Sequence, residues 1–144
     1  MTTQLRTMPV PDRDSAPYWA ALAEGRLDLQ QCRDCDRFTW PPRPICSGCH
    51  GDHLDWRTVS GNGEVHSWVV THQVYSPDLA PLVPYTVVLV RIDEQDDILI
   101  PGRLVSDMVL GQGSRVRAEP QPLTDGIGSL NWSAAEQSEV GVEP

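Results

Sequence analysis

The four cysteines of the chain stand in two close pairs, Cys32 with Cys35 and Cys46 with Cys49. Within a C-x2-C pair, one tight turn aims two thiolates at the same point, and two such pairs supply four soft ligands to one tetrahedral metal ion. Four thiolates leave no open coordination position, so such a set supports a fold and not a reaction. The spacing therefore predicts a structural zinc site.

Two other interpretations of the cysteines stay open at this point. Iron, bound as in rubredoxin, also suits four thiolates. Two disulfides would instead require an oxidising compartment, whereas residues 1–6 contain no apolar segment of the kind found in a secretory signal. We therefore expect a cytoplasmic protein whose cysteines are reduced and bind metal.

The remaining candidates for chemistry are four histidines and an acidic run. His50 and His53 flank the second cysteine pair, and His66 falls on a predicted strand beside Trp68. A histidine in such a place is more often hydrogen-bonded or solvent-facing than a general base. The acidic residues 93–97 fit the solvated tip of a hairpin. We therefore predict no catalytic residue in this chain.

The charge of the chain argues against a nucleic-acid partner. The net charge is −9, and all 11 basic residues are arginine. The chain stays acidic when the five acidic residues that follow Arg117 are set aside. A protein that neutralises phosphates needs a basic face. No stretch is long and apolar enough to span a membrane, so we expect no membrane partner either.

A short helix is predicted near the N-terminus. Asp14 or Ser15 can cap it, and Gly25 ends it. At about three turns it is too short to be stable alone, so its aromatic face must bury against something. Either it docks on its own domain, or it presents a surface to another protein. The candidate partner-binding residues are Tyr18, Trp19 and Leu22.

The fold class that follows is mainly β, with an N-terminal helix, a zinc ribbon and then a small antiparallel OB-type barrel. The predicted boundaries are 1–26 for the arm and helix, 27–59 for the ribbon, 60–119 for the barrel and 120–144 for an acidic tail that is ordered at most in part. Within the barrel, we predict a strand over 64–71 with Val65, Ser67 and Val69 on one face. Leu130 and Trp132 could anchor the tail.

Several short motifs occur in a specific order over about residues 14–119. They are Tyr18-Trp19, Gly25-Arg26-Leu27, Gln31-Cys32-x-x-Cys35, Pro41-Pro42-Arg43-Pro44-x-Cys46-x-x-Cys49, Trp56, Ser60-Gly61-x-Gly63, Pro84-Tyr85 and Gly111. In these motifs and their order the chain resembles a family of bacterial and archaeal zinc-ribbon plus OB-fold proteins that accompany acyl-CoA enzymes. Asp36 departs from the family's usual glycine, but aspartate tolerates the left-handed conformation well.

The resemblance implies a non-catalytic accessory subunit. Such proteins pair with thiolase-fold enzymes, which include ketothiolases and aldolases that shorten steroid side chains, or with hotdog-fold enoyl-CoA hydratases. The catalytic groups would lie on the other chain, and this one would complete the acyl-CoA channel. Among these partners we favour an aldolase that performs retro-aldol cleavage of a steroid side-chain acyl-CoA.

A subunit beside such a channel could contact coenzyme A itself. Arginine suits its phosphates because the guanidinium donates two hydrogen bonds, and flat aromatic side chains can cover the adenine. The candidate CoA-binding residues are Arg33, Arg37, Phe38, Trp40 and Arg43. Alternatively, these arginines are exposed and balance an acidic protein or contact an acidic partner.

Two functions of other classes remain as alternatives. Zinc ribbons and OB barrels both commonly bind single-stranded nucleic acid, although the net charge opposes this. A free-standing hydratase or thioesterase would need a base that the sequence does not convincingly place.

Overall fold

The computed structural model of the protein describes residues 9–124 and 126–135. A three-stranded sheet and a closed five-stranded barrel follow one short helix. The elements in chain order are α1 (Ala16–Ala23), β1 (Asp28–Cys32), β2 (Phe38–Thr39), β3 (Leu54–Thr58), β4 (Asn62–Thr71), a 3-10 helix (Pro77–Leu82), β5 (Tyr85–Ile92), β6 (Leu99–Leu104), β7 (Arg115–Thr124) and β8 (Ile127–Ala134). The predicted fold class, mainly β with an N-terminal helix, a ribbon and an OB-like barrel, is confirmed.

Helix α1 begins and ends through local hydrogen bonds. Asp12 and Ser15 form a reciprocal pair, in which Ser15 N–H donates to Asp12 Oδ1 (2.8 Å) and Asp12 N–H donates to Ser15 Oγ (3.1 Å). Ser15 is the N-cap residue, as one of the two predicted alternatives, but its hydroxyl accepts from Asp12 N–H and makes no bond to the helix, so Asp12 supplies the side-chain acceptor at this end. At the other end Gly25 has φ +87°, and the N–H of Arg26 reaches the carbonyl of Ala21, which closes a Schellman motif.

The ribbon sheet has the strand order β2-β1-β3, and the barrel has the order β4-β5-β6-β8-β7. All barrel pairs are antiparallel except β6 with β8, which run parallel over Arg103–Asn131 and Leu104–Trp132. The barrel interior is filled by fully buried side chains from every strand, which include Val65, Val88, Ile100, Val116 and Trp132.

The barrel does not end at residue 119. β7 continues to Thr124, and β8 closes the barrel where the sequence suggested a loosely ordered tail. Trp132 is fully buried and Leu130 is 8% exposed, so these two residues are core positions of a strand and not anchors of a tail. The last part of the predicted tail, 136–144, lies outside the described residues.

A β-bulge changes the predicted faces of β4. Val65 pairs with Val90 and Ser67 pairs with Leu89, so His66 is an extra residue in the ladder. The extra residue reverses the alternation, because side chains switch faces at every position. Val65 is buried, whereas Ser67 and Val69 are exposed, so the predicted common face of these three residues is wrong.

Helix α1 packs on the C-terminal strand of the barrel. It buries Tyr18, Ala21 and Leu22. Gly128 of β8 lies so close to the helix that an added Cβ would stand 2.4 Å from the backbone nitrogen of Ala23. The helix therefore docks on its own chain. Within the described residues no helix has both the length and the apolar character needed to cross a bilayer.

Candidate metal centre and the adjoining cleft

The two cysteine pairs sit in equivalent turns. In the first, Asp36 N–H donates to the carbonyl of Cys32 (2.9 Å), and in the second, His50 N–H donates to the carbonyl of Cys46 (3.1 Å). Asp36 and His50, which follow each pair, have φ +66° and +65°. The prediction that Asp36 tolerates the left-handed conformation is confirmed. His50 occupies the same place in the second turn, which the spacing alone could have shown.

The four sulfur atoms lie within 4.8 Å of one another. The Cys32 and Cys49 sulfurs are 3.6 Å apart, as are those of Cys35 and Cys46. A tetrahedral ion with Zn–S bonds of about 2.3 Å places its sulfurs about 3.8 Å apart. The donor set and its spacing therefore fit zinc, and the four cysteines form a structural metal site.

These sulfur separations rule out the disulfide interpretation for the arrangement seen here. A disulfide bond is about 2.05 Å long, and all four cysteines are free. Cys32 and Cys46 are buried, whereas Cys35 and Cys49 are exposed at the surface of the ribbon.

Backbone N–H groups stabilise negative charge at the site. Gly48 and Cys49 both donate to the sulfur of Cys46, at 3.2 and 3.4 Å, and Asp34 donates to the sulfur of Cys32 at 3.3 Å. The donation from Cys49, together with that from Gly48, lowers the pKa of Cys46 to about 6. Part of the ligand set is thus prepared for metal by the fold of the turn itself.

The histidines have structural contacts. His53 Nδ1 lies 3.1 Å from Asp34 Oδ2, so a side-chain contact joins the two cysteine turns. His66 Nδ1 lies 3.2 Å from the guanidinium of Arg91, which also pairs with Glu64 at 3.1 Å. These contacts hold the ribbon and the barrel wall, and they leave the prediction of a non-catalytic chain as it stands.

The structure does not gather the five candidate CoA-binding residues into one cluster. Arg33 pairs with Asp55 at 3.2 Å, and Arg37 forms an ion pair with Asp97. Phe38 is half-buried against the core. Arg33 and Arg37 are thus used within the chain, which leaves Trp40 and Arg43 as the candidates best placed for a ligand.

Trp40 lines a cleft of about 580 Å³ between α1, the ribbon and the barrel. The cleft is lined mainly by aromatic residues and proline, among them Tyr18, Trp19, Trp40, Pro41 and Pro42, and Leu130 of β8 also lines it. The ring of Tyr18 lies 5.0 Å from that of Trp19 and 4.9 Å from that of Trp40. This cleft was not predicted from the sequence, because its walls come from three elements that are distant along the chain.

Arg43 follows Pro42, which lines the cleft. The side chain of Gln30 accepts from Arg43 N–H (2.9 Å) and donates to the Arg43 carbonyl (2.8 Å). This pair of bonds fixes the backbone just after Pro42, while the Arg43 residue itself is exposed.

Of the three candidate partner-binding residues, two are buried inside the chain. Tyr18 is 3% exposed and Leu22 is fully buried, whereas Trp19 is half-buried at the cleft. Burial raises the pKa of Tyr18 well above its usual value. The face of α1 predicted from sequence therefore serves mainly the chain's own core, and Trp19 is the member that retains surface.

Two family models match consecutive parts of the chain. "ChsH2, rubredoxin-like zinc ribbon domain" matches residues 19–55, and "ChsH2, C-terminal OB-fold domain" matches residues 56–121. A "Probable enoyl-CoA hydratase alpha subunit" of Thermomonospora curvata is 36% identical over 107 residues, which are 73% of this chain. The chain spans only 30% of the length of that relative.

Two solved structures have a similar fold. One is titled "Ltp2-ChsH2(DUF35) aldolase", and its matching chain has a TM-score of 0.76 and 26% identity over 88% of this chain and 98% of its own length. The other is a DUF35-family protein from Sulfolobus solfataricus, with a TM-score of 0.61 and 12% identity over 85% of this chain and 86% of its own. At 12% identity the second structure supports the fold alone.

Proposed function

The chain belongs to the ChsH2 family of zinc-ribbon and OB-fold proteins, and from that premise we propose that it is a non-catalytic accessory subunit of a thiolase-fold acyl-CoA enzyme. The observation that carries the proposal is the likeness to a chain of the Ltp2–ChsH2 aldolase over nearly the whole of that chain. The name of that aldolase joins two components, Ltp2 and ChsH2. The reaction we propose for the complex is retro-aldol cleavage of a steroid side-chain acyl-CoA.

In such a complex the two chains would divide the work. Retro-aldol cleavage requires a base that removes a hydroxyl proton and groups that stabilise the enolate left behind. We place these groups on the partner. This chain would hold the entrance of the acyl-CoA channel in shape, with zinc fixing the ribbon.

Trp40 and Arg43 are the residues that we propose for contact with coenzyme A. Trp40 offers a ring at the wall of an aromatic cleft, and a guanidinium such as that of Arg43 can donate two hydrogen bonds to phosphate. Arg33 and Arg37 are less suitable, because a phosphate would have to compete with Asp55 and Asp97.

The experiment that tests the proposal begins with the tagged chain expressed in its native host. Proteins recovered with it in stoichiometric amount are identified by mass spectrometry, and the complex is then assayed for cleavage of β-hydroxyacyl-CoA esters. We expect a thiolase-fold subunit, and cleavage that requires both chains. Turnover by this chain alone would overturn the proposal.

A second candidate is a subunit of a hotdog-fold enoyl-CoA hydratase. It is favoured by the identity of 36% with the Thermomonospora curvata protein, whose name specifies a hydratase. The same recovery experiment separates the two, because a hydratase partner would add water to enoyl-CoA without breaking a carbon–carbon bond. If the chain instead binds oligonucleotides tightly, with a steep dependence on salt, it is a nucleic-acid module.

A further inference from the structure

Strand β4 has a free edge over its second half. It pairs with β7 only through Asn62–Arg117, Gly63–Val116 and Glu64–Arg115. The ladder with β5 on the other side continues to Thr71–Tyr85. Residues 67–71 therefore have a strand neighbour on one side only, among the residues that the structure describes. A free edge presents unpaired backbone N–H and C=O groups, which can accept another strand.

This free edge is unusually apolar. Trp68, Val69 and Val70 are 39%, 61% and 47% exposed, although neighbouring residues of a strand point to opposite faces. Both faces of the β4–β5 hairpin are thus open to solvent here. The chain that continues from β4 adds Val74 at 44% and Tyr75 at 74% exposure. We call residues 67–71 with Val74 and Tyr75 the β4 edge strip.

The β4 edge strip also lacks the devices that normally protect an edge. Residues 65–76 contain no Asp, Glu, Arg or Pro, in a chain with a net charge of −9. The bulge at His66 precedes the strip and does not interrupt it.

The opposite edge, on β7, is protected. Beyond its contact with β4, β7 carries Pro120 and Pro122, which pair with Leu130 and Gly128 of β8. Proline cannot donate a backbone hydrogen bond, so it blocks the addition of a strand at an edge. The β7 edge is thus protected by proline, whereas the β4 edge is apolar and uncharged. The β4 edge is therefore the one available for binding.

We propose that the β4 edge strip is the surface through which this chain docks on the acyl-CoA enzyme subunit, and that the partner contributes an extended, apolar segment that pairs with β4. This inference rests on the proposed function and specifies its interface. Addition of a strand supplies affinity through backbone hydrogen bonds. Apolar contact comes from both faces of the strip, with Trp68 and Val70 on one face and Val69, the more exposed, on the other.

A second copy of this chain fits the strip less well. Two copies joined at this edge would bring together two bodies with a net charge of −9 each, and the strip contains no charged residue that could offset the repulsion. A different protein need not carry that charge, and the name of the similar Ltp2–ChsH2 aldolase joins two different components.

The test uses the wild-type chain, Val69→Lys and Ile45→Lys, each with the enzyme subunit that is recovered from the native host. Val69 and Ile45 are both exposed apolar residues, and Ile45 lies in the ribbon, away from the strip. We expect the Kd of Val69→Lys to rise about tenfold or more, because a lysine would enter an apolar interface, and the Kd of Ile45→Lys to stay near that of the wild type. Backbone amide exchange in 67–71 should slow on binding.

The outcomes separate the interface from the function. If folded Val69→Lys binds with the same Kd as the wild type, docking through the β4 edge strip is overturned and the proposed accessory role is not affected. Recovery of no acyl-CoA enzyme subunit overturns both. If the wild-type chain is a dimer and Val69→Lys is a monomer, the β4 edge strip binds a second copy of this chain, and the inference is overturned. Backbone amides of 67–71 that exchange slowly in the free chain, and fast in a chain that ends at Ala135, would mean that the residues after Ala135 cover the edge. That result would also overturn the inference.

Discussion

The side chain of Gln95 pairs with both backbone polar groups of Phe38. Phe38 N–H donates to Gln95 Oε1 at 2.8 Å, and Gln95 Nε2 donates to the Phe38 carbonyl at 2.9 Å. The amide thus imitates a neighbouring strand beside β2 and ties the ribbon to the β5–β6 hairpin of the barrel. Arg37 and Asp97 form an ion pair alongside. Hydrogen bonds from Gln95 and Arg37 lower the pKa of Asp97.

Replacing Gln95 by alanine should loosen the ribbon from the barrel. The substitution removes the two hydrogen bonds to Phe38, which are worth about 0.5–1.5 kcal/mol each, as well as the exposed one to Asp97. We expect the free energy of unfolding to fall by about 1–3 kcal/mol, and the amide of Phe38 to exchange faster. The matched control is Gln112→Ala, because Gln112 is exposed and its contact with the His66 carbonyl is 3.5 Å long. Equal effects of the two substitutions would contradict a specific role for Gln95.

Replacing Cys46 by serine should release the metal. Cys46 is fully buried and its sulfur accepts two backbone hydrogen bonds, so the substitution removes the thiolate that the turn stabilises, one of the four metal ligands. Metal binding in such small sites is coupled to folding by about 10–16 kcal/mol, so the ribbon should unfold.

The measurement is zinc content by elemental analysis together with the thermal midpoint. A strong chelator should produce the same state in the wild type, and activity of the proposed complex should fall with it. The control is Asp52→Asn, whose side chain is 77% exposed in the ribbon. Full zinc content and an unchanged midpoint for Cys46→Ser would rule out the four-cysteine site.

Replacing Gly128 by alanine should push helix α1 away from the barrel. The new Cβ would stand 2.4 Å from Ala23 N and 2.5 Å from the carbonyl carbon of Leu22, and helix backbone cannot move aside locally. We expect a loss of about 1–3 kcal/mol in the free energy of unfolding. Gly111→Ala is the control, since its nearest neighbour would be the Ser114 hydroxyl at 3.8 Å. A harmless Gly128→Ala would mean that the helix is not seated on β8.

Replacing Tyr18 by phenylalanine should make the protein more resistant to alkali. Burial raises the pKa of Tyr18 above its usual value of 10.0, so the fold favours the neutral phenol. The stability that this contributes is present below pH 10 and is lost as the pH rises toward the folded-state pKa.

Above pH 10 the wild type should therefore lose up to about 1.4 kcal/mol per pH unit more than Tyr18→Phe does. Denaturant unfolding of both proteins at several pH values measures the difference. Parallel curves would show that Tyr18 already ionises in the folded protein.

The parts of the fold that the sequence predicted depend on local rules. The cysteine spacing specified the metal site, and Gly25 and Asp36 adopt the left-handed conformations that their positions demanded. These features involve a few neighbouring residues, so no distant contact is needed to infer them.

The parts that the sequence did not predict depend on distant contacts. The polar residues after 119 predicted a loosely ordered tail, yet β7 continues through them, and its Pro120 and Pro122 pair with β8 beyond the contact with β4. The bulge at His66 reversed the faces of β4, and the aromatic cleft required α1, the ribbon and the barrel to meet. Two candidate CoA-binding arginines, Arg33 and Arg37, form ion pairs with carboxylates of β3 and of the β5–β6 hairpin. Folding brings Arg37 and Asp97 together from distant parts of the sequence.

Strand β8 both closes the barrel and receives α1, and this arrangement has a consequence for how the protein is made. Of the described elements, α1 is synthesised first and β8, the strand on which it packs, is synthesised last. Tyr18 can meet Trp40 as soon as the ribbon is made, but the part of α1 around Leu22 that packs on Gly128 stays uncovered until β8 is synthesised. Contacts between elements so far apart in sequence form slowly. The newly made chain therefore depends on β8 to bury the apolar face of α1.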